Sequence, residues 1–159
     1  MYKHKLKLIE KGAKRLGINI IETCLRDGAS ADKELPSADR ILCDVPCSGL
    51  GVLSRKPEIR YKDDLIDTDL ADIQYKILCE SAKYLKKGGK LVYSTCTLNL
   101  QENNKNTAKF LAEHNDFEGV ELELPPELKR AFDEKPYEIT LMPHTFDGDG
   151  FYIAVLTRR

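Results

Sequence analysis

The sequence predicts an α/β protein whose sheet is mostly parallel, with an antiparallel pair of strands near its carboxyl end. Strand-like and helix-like segments alternate along most of the chain, which is typical of parallel sheets with right-handed crossovers. The segment "DRILCDV" is apolar enough to be buried on both faces, as the strands of such sheets are. The turn-rich segment "PHTFDGDG" separates the last two predicted strands and favours an antiparallel pair. A length of 159 residues suits a single domain over residues 1–159.

Hydrophobic spacing and breaker residues place the elements in order. Apolar residues at helical spacing predict a first helix that Gly17 ends, and β-branched residues then predict a strand. The glycines of "KKGG" are expected to end the second helix, and Asn99 with Glu102 resembles a capping box for the third. The prediction is a helix over 2–16, strands over 18–24 and 39–45, a helix over 68–86, a strand over 90–96, a helix over 101–114, and up to three strands in "FEGVELEL", "YEITLMP" and "GFYIAVLTRR".

Composition limits the classes of function. The net charge of -1 gives no argument for nucleic-acid binding by the chain as a whole. No apolar run approaches the roughly 20 residues of a membrane span, and the lysine-rich first segment lacks the apolar stretch of a signal peptide. Five cysteines without an export signal indicate reduced thiols in the cytoplasm. Because the three histidines are far apart and no cysteine pair has C-x-x-C spacing, no metal site is predicted.

Polar side chains follow three of the predicted strands. Asp27 comes after the first strand, Asp44 and Cys47 after the second, and Cys96 after the third. Ligands of parallel α/β sheets bind beyond the carboxyl ends of the strands, so we expect these two acids and two thiols along one rim. A thiol at a strand end has the partial exposure that reactive cysteines need. The other cysteines fall inside strand or helix patterns and are interpreted as small buried apolar residues: Cys24, Cys43 and Cys79.

The loop "SRKPEIRY" places cations and an aromatic residue just after Cys47. Arg55, Lys56 and Arg60 could contact a phosphate backbone, and Tyr61 could stack on a base. A charged surface loop explains the same residues equally well, so both interpretations stay open. The lysines of the first helix are interpreted as a solvated helix face.

Three segments, "DVPCSGLGVLSRKPEIRY", "KLVYSTCTLNLQEN" and "MPHTFDGDGFYIAVL", resemble the RNA 5-methylcytosine methyltransferases of the NOL1/NOP2/Sun family, in particular its bacterial small-subunit ribosomal RNA members. The Pro-Cys and Thr-Cys motifs are specific only in combination. The resemblance implies methylation of carbon 5 of a cytosine, with S-adenosyl-L-methionine as cofactor. It implies RNA as the partner, with small-subunit ribosomal RNA the expected substrate, and a cytoplasmic location without membrane contact.

The resemblance also implies roles for single residues. Carbon 5 of cytosine is a poor nucleophile until a thiolate adds to carbon 6, and a base must later remove the carbon 5 proton so that the thiolate leaves. Cys96 would be the nucleophile, and Cys47 would assist release. Asp44 would contact the cytosine ring. Asp44 and Pro46 would both lie near the cofactor. Asp27 would lie near the adenosine of the cofactor.

The resemblance makes Arg55, Lys56 and Arg60 expected RNA contacts. Family members carry a glycine-rich cofactor loop and a ribose-binding acid before the lysine-rich helix, at which this sequence begins. We therefore expect the carboxyl-terminal portion of a methyltransferase catalytic domain, with an incomplete Rossmann-like class I sheet whose first two strands are absent. Exposed sheet edges would favour self-association. The chain alone would bind cofactor weakly and show little or no turnover.

Two other functions remain open at this stage. One is a non-catalytic module that binds RNA or a partner protein and derives from such an enzyme. The other is a thiol redox or sensor protein that uses Cys47 and Cys96. Retained RNA affinity without cofactor binding would favour the first, and a readily formed disulfide would favour the second.

Overall fold

The computed structural model describes residues 3–30, 35–61, 68–128, 134–145 and 147–159. Within these segments, helices and strands alternate along the first part of the chain and strands dominate the last part. The elements are α1 (Lys3–Arg15), β1 (Ala38–Asp44), α2 (Thr68–Ala82), β2 (Leu85–Thr95), α3 (Asn104–Glu113), β3 (Phe117–Gly119), β4 (Glu138–Leu141) and β5 (Phe151–Arg158), with 3-10 helices over Leu50–Val52 and Pro57–Tyr61.

The strands form one mixed sheet. β1 pairs with β2 in parallel. β5 pairs antiparallel with β2 along one edge and with β4 and β3 along the other. Among the described strands, β5 therefore runs opposite to the other four. The predicted α/β class and the antiparallel pair formed by the last two strands are confirmed.

The core lies between the sheet and the helices α2 and α3, which contact one another and the strands. On β5 the buried residues alternate with half-buried ones, as expected of a strand whose two faces differ. The rings of Tyr93 and Tyr152 meet edge to face with their centroids 6.3 Å apart, a favourable aromatic geometry. The largest fully buried apolar side chains are Tyr93, Tyr152, Phe110, Leu78, Leu85, Leu91 and Leu156.

Helix α1 lies apart from this core, and none of its residues is buried. Its apolar residues Leu8 and Ile9 are exposed, as is Leu16 just after it. The Thr23 hydroxyl donates to a Glu10 carboxylate oxygen at 2.6 Å, which ties the following segment to the helix. In the part of the chain that the structure describes, no helix combines the length and apolarity needed to cross a bilayer.

The strand predicted over 18–24 is wrong. The segment has no regular secondary structure, and its isoleucines are exposed, Ile20 by 88%. A strand exists only where a neighbour completes its hydrogen bonds, and within the described residues no strand pairs with this segment. Its β-branched composition is therefore insufficient to make it a strand.

Two helix boundaries also differ from prediction. α2 ends at Ala82, and the "KKGG" residues lie within β2. Gly88 has a φ of 73°, a left-handed conformation that lets β2 bulge where its register with β1 shifts. α3 begins at Asn104 rather than at residue 101, and its N-cap residue Asn103 makes no side-chain capping bond.

Candidate active site

Cys47 and Cys96 meet beyond the carboxyl ends of β1 and β2. The parallel register sets Asp44 opposite Ser94, so the chain leaves both strands at the same edge of the sheet. The sulfur atoms of the two cysteines are 3.0 Å apart, and both residues are free thiols of intermediate exposure. Within the described residues, no three His, Cys, Asp or Glu side chains cluster as metal ligands would. The structure thus brings together the two thiols that the sequence predicted on one rim.

The pKa of Cys47 is raised to about 12, chiefly by burial and then by its hydrogen bond with Cys96 and the charge of that residue. At neutral pH, Cys47 is therefore a protonated thiol and can donate its hydrogen to the Cys96 sulfur. A protonated thiol is a poor nucleophile. This disfavours Cys47 as the attacking thiol while both sulfur atoms are in contact.

Asp44 lies exposed at the end of β1. One of its carboxylate oxygens accepts a hydrogen bond from the Ser94 hydroxyl at 3.0 Å. Ser94 precedes Cys96 by two residues on the neighbouring strand, so this bond holds the acid beside the thiol pair. Asp44 thus joins the two cysteines at the rim, as the sequence predicted.

The loop that carries Cys47 is anchored to a buried carboxylate that the sequence reasoning did not assign to the site. Glu102 is only 1% exposed and accepts hydrogen bonds from Ser48, Gln74 and Asn99. The capping-box prediction is wrong because Glu102 turns toward this loop instead of closing the first turn of a helix. Its place in the segment "KLVYSTCTLNLQEN", six residues after Cys96, was a signal available in the sequence.

Two glycines bring a distant loop against the site. The Gly51 amide donates to the Cys96 carbonyl at 3.0 Å, and the Gly150 amide donates to the Gly51 carbonyl at 2.7 Å. A Cβ atom on either glycine would overlap backbone atoms of the other. The "DGDG" segment, which the sequence indicated as a turn, therefore also supports the backbone of Cys96.

The basic loop lies next to the site because its chain continues directly from the Cys47 loop. Ile59 is buried and anchors it, whereas Tyr61 is 86% exposed. The Arg55 guanidinium forms an ion pair with Asp149. Lys56 and Arg60 are exposed. Exposed cations and an exposed aromatic residue are compatible with an RNA contact, and that role stays a prediction.

Asp27 lies in the irregular segment that follows α1 and not at the end of a strand. Its carboxylate is exposed and accepts a hydrogen bond from the Ala29 amide at 3.0 Å, which makes a local turn. In the described segments, no hydrogen bond or ion pair joins it to Asp44 or to either thiol. The segment that leads to Asp27 is not a strand, which removes the topological reason for placing this acid on the rim. Its assignment to the cofactor stays a prediction.

Comparison with known proteins gives consistent matches over the whole chain. A family profile described as 16S rRNA methyltransferase RsmB/F matches residues 1–157. A Bacillus subtilis protein named probable ribosomal RNA small subunit methyltransferase B is 42% identical over 165 residues, covering 100% of this chain and 36% of that protein. The protein of the same name from Synechocystis is 35% identical, covering 97% of this chain and 35% of its own length. The chain thus spans about a third of the length of these relatives.

A solved structure shows the same fold. The crystal structure of NSun6 from Pyrococcus horikoshii with SFG, an analogue of S-adenosylmethionine, matches with a TM-score of 0.85 and 29% identity. The match covers 99% of this chain and 39% of that protein. A methyltransferase homolog from the same organism matches with a TM-score of 0.79 at 24% identity, which supports the fold alone.

Proposed function

Because the chain belongs to the 16S rRNA methyltransferase RsmB/F family, we propose that it methylates carbon 5 of a cytosine in small-subunit ribosomal RNA. The observation that carries the proposal is the 3.0 Å separation of the Cys47 and Cys96 sulfur atoms at the carboxyl edge of the sheet. One sulfur can add to a base while the other stays within reach of the same ring. A single cysteine would supply attack but no second group for release.

The reaction divides between the two thiols. The Cys96 sulfur forms a bond to carbon 6 of the cytosine, which makes carbon 5 nucleophilic. S-adenosylmethionine, when bound, supplies the methyl group that carbon 5 takes up. The Cys47 sulfur, as a thiolate, then takes the proton from carbon 5, the C–H electron pair forms the double bond between carbons 5 and 6, and the bond between sulfur and carbon 6 breaks with its electron pair returning to Cys96.

When the Cys96 sulfur bonds to carbon 6, the pKa of Cys47 changes in the direction that lets Cys47 assist release. Two of the causes that raise the pKa of Cys47 are its hydrogen bond with Cys96 and the charge on Cys96. Both are lost once the Cys96 sulfur is bonded to carbon. Burial remains, so the pKa of Cys47 falls only part of the way toward its ordinary value. Cys47 therefore gives up its proton more readily at the stage when a base is needed.

At the rim, Asp44 would contact both the cofactor and the cytosine, and Pro46 would contact the cofactor. Asp44 is exposed beside the thiols, and the Pro46 carbonyl is held by the Gln74 amide at 2.7 Å. Asp27 has no bond to this group, so only part of the proposed cofactor site is assembled around the thiols. This supports the expectation that the chain alone binds S-adenosylmethionine weakly.

RNA is the proposed partner, and Arg55, Lys56 and Arg60 are its proposed contacts beside the thiols. Ribosomal RNA as substrate implies a cytoplasmic location, which stays a prediction. We also propose self-association through the open edge of β1 and the exposed isoleucines of residues 18–24. Unpaired strand edges and exposed apolar side chains both favour contact between copies.

Trapping of a covalent adduct tests the proposed function. The chain is incubated with S-adenosylmethionine and an RNA containing 5-fluorocytosine, which has no carbon 5 proton to remove, and the products are separated on a denaturing gel. We expect a slowly formed adduct with the wild-type chain and with Cys47→Ala, and none with Cys96→Ala. On ordinary RNA, Cys47→Ala should accumulate the adduct because release is blocked.

The outcomes separate the alternatives. Loss of the adduct in Cys47→Ala, with retention in Cys96→Ala, would reverse the two roles. An absence of adduct in every variant, together with measurable RNA binding, would favour the non-catalytic module.

A further inference from the structure

Four hydrogen-bond donors converge on the buried Glu102 side chain. One oxygen accepts from the Ser48 amide at 2.9 Å and from the Gln74 side chain at 2.7 Å. The other accepts from the Ser48 hydroxyl at 2.6 Å and from the Asn99 side chain at 3.0 Å. All four partners donate, and the form of a carboxyl group that accepts at both oxygens without donating is the ionised carboxylate.

These bonds fix the chain on both sides of Cys47. Ser48, which follows Cys47, binds Glu102 through its amide and its hydroxyl. Pro46, which precedes Cys47, accepts the second hydrogen of the same Gln74 amide group that binds Glu102. Cys47 therefore lies between two residues that are tied to one carboxylate, directly or through a single side chain.

The same carboxylate also reaches the Cys96 loop. The Ser48 hydroxyl has one hydrogen, which it donates to Glu102, so the Thr97 hydroxyl must donate in the 2.7 Å bond between Thr97 and Ser48. Thr97 follows Cys96 in the chain. The residues that follow the two cysteines are thus joined to each other and, through Ser48, to Glu102.

We propose that Glu102 is a positioning residue that sets the contact between the Cys47 and Cys96 sulfur atoms. It acts through Ser48 and Gln74 and does not touch either thiol. That this contact serves the release of methylated RNA rests on the proposed function. The effect of Glu102 on the distance between the sulfur atoms stands on the hydrogen bonds alone.

Replacing one carboxylate oxygen of Glu102 by an NH₂ group turns a hydrogen-bond acceptor into a donor. In Glu102→Gln, an NH₂ group faces two donors whichever way the amide turns. A buried donor facing a donor loses its hydrogen bond and keeps its desolvation cost. Either the Cys47 loop must therefore shift, through Ser48 or Gln74, or the Cys96 loop must shift, through Asn99, and both shifts change the contact between the two sulfur atoms.

The equilibrium between the thiol pair and glutathione measures this contact. In the exchange, the two thiols and one glutathione disulfide give the Cys47–Cys96 disulfide and two molecules of reduced glutathione. Closing the disulfide needs the sulfur atoms to approach by about 1 Å from their present contact, to the bond length near 2.05 Å. Peptide mapping of the alkylated chain identifies that disulfide among the five cysteines. We expect Glu102→Gln to lower the equilibrium constant for its formation about tenfold.

Glu138→Gln is the matched control. Glu138 is also buried, and it accepts hydrogen bonds from the Tyr152 and Thr107 hydroxyls and from the Lys135 amide. It lies on β4, on the side of β5 away from β2 and the thiols. We expect this variant to lose thermal stability while its disulfide equilibrium constant stays within about twofold of wild type.

A double-mutant cycle with Ser48→Ala tests whether Glu102 acts on the thiol pair through Ser48. If Glu102 acts through Ser48, the effect of Glu102→Gln on the equilibrium constant shrinks once the Ser48 hydroxyl is gone. An unchanged constant in Glu102→Gln, an equal loss in Glu138→Gln, or strictly additive effects would overturn the proposal. A wild-type chain that forms no Cys47–Cys96 disulfide would overturn it as well. No RNA or methyl donor is present, so a failure of the methylation assay leaves this result unaffected.

Discussion

Cys43 and Cys47 are four residues apart, and their surroundings give them different chemistry. Cys43 is 4% exposed in the core, and burial raises its pKa to about 11. The Ser81 hydroxyl at 3.7 Å lowers the pKa only partly, and the charge of Asp44 raises it. Cys47 lies at the rim and its protonation is linked to that of Cys96. The strand places one thiol in the core and the loop places the other in the site.

The raised pKa of Cys43 predicts a loss of stability in alkali. The contribution of the protonated Cys43 thiol to the free energy of unfolding is complete below pH 9.0, the ordinary pKa. It is lost as the pH rises toward about 11, because Cys43 ionises at a lower pH in the unfolded chain than in the folded one. We expect the free energy of unfolding to fall by about 2 to 3 kcal/mol more in wild type than in Cys43→Ala over that interval. Urea unfolding at pH 8 and pH 11 measures the difference.

Cys24→Ala is the control for this measurement, since Cys24 is exposed. The charge of Cys43 is also one of the smaller causes that raise the pKa of Tyr93, so the difference between wild type and Cys43→Ala includes that coupling, whereas Cys24→Ala keeps it. Equal alkaline losses in wild type and Cys43→Ala would contradict the prediction.

At the scale of single residues, the sequence predicted the two thiols but not the buried polar residues that hold their loops by hydrogen bonds. Cys47 and Cys96 follow strands and Asp44 ends one, and strand ends are visible in hydrophobic patterns. Glu102 and Gln74 are polar residues in polar surroundings along the chain, and their burial depends on which loop folds over them. A local pattern carries no information about such a nonlocal partner.

At the scale of elements, the Cys96 loop depends on a close approach between two glycine backbones. Gly51 lies between the Cys96 carbonyl and the Gly150 amide and is hydrogen-bonded to both. No side chain larger than hydrogen fits there without displacing backbone atoms. The requirement for glycine at position 51 is steric and not conformational, because the Gly51 backbone is not in the left-handed region.

Gly51→Ala tests this close approach. We expect the free energy of unfolding to fall by about 1 to 3 kcal/mol, as in other overpacked sites, and the Cys96 loop to move away from Cys47. Chemical denaturation gives the first quantity, and the rate of Cys96 alkylation gives the second.

Gly12→Ala is the matched control, since a Cβ atom at Gly12 meets nothing within 4 Å. In the middle of α1, alanine should leave stability unchanged or raise it by up to about 1 kcal/mol. Equal effects of the two substitutions would show that the Gly51 site has room for a methyl group.

Element prediction succeeded where a local pattern and its tertiary partner agreed. The alternating burial of β5 and the apolar run of β1 both appear in the sequence. Residues 18–24 have equally good strand composition, but no neighbour completes their hydrogen bonds in the described structure. The "KKGG" segment contains the usual signals of a helix end, yet there Gly88 shapes a bulge inside β2.

At the scale of the whole molecule, the described residues leave several apolar side chains and one strand edge uncovered. Leu42 on β1 and the isoleucines of 18–24 are exposed, and the outer edge of β1 pairs with no strand among the described residues. An open strand edge and exposed apolar side chains each favour association between copies.

Sedimentation at increasing protein concentration tests self-association. We expect the average mass to rise with concentration for wild type, and Ile20→Lys to weaken the association about tenfold by placing a charge on the apolar surface. Ile73→Lys, at a half-exposed position on α2, is the control and should behave as wild type. A monomer at all concentrations would contradict the prediction.

The position of β5 in the sheet has a consequence for synthesis on the ribosome. β5 is the shared neighbour of β2, β3 and β4, and it is the last of these strands to be translated. Until it emerges, one edge of β2 stays open and the two short strands have no partner. Closure of the sheet therefore depends on contacts between residues far apart in the chain, which fold slowly. During that delay the nascent chain exposes strand edges and is a substrate for chaperones.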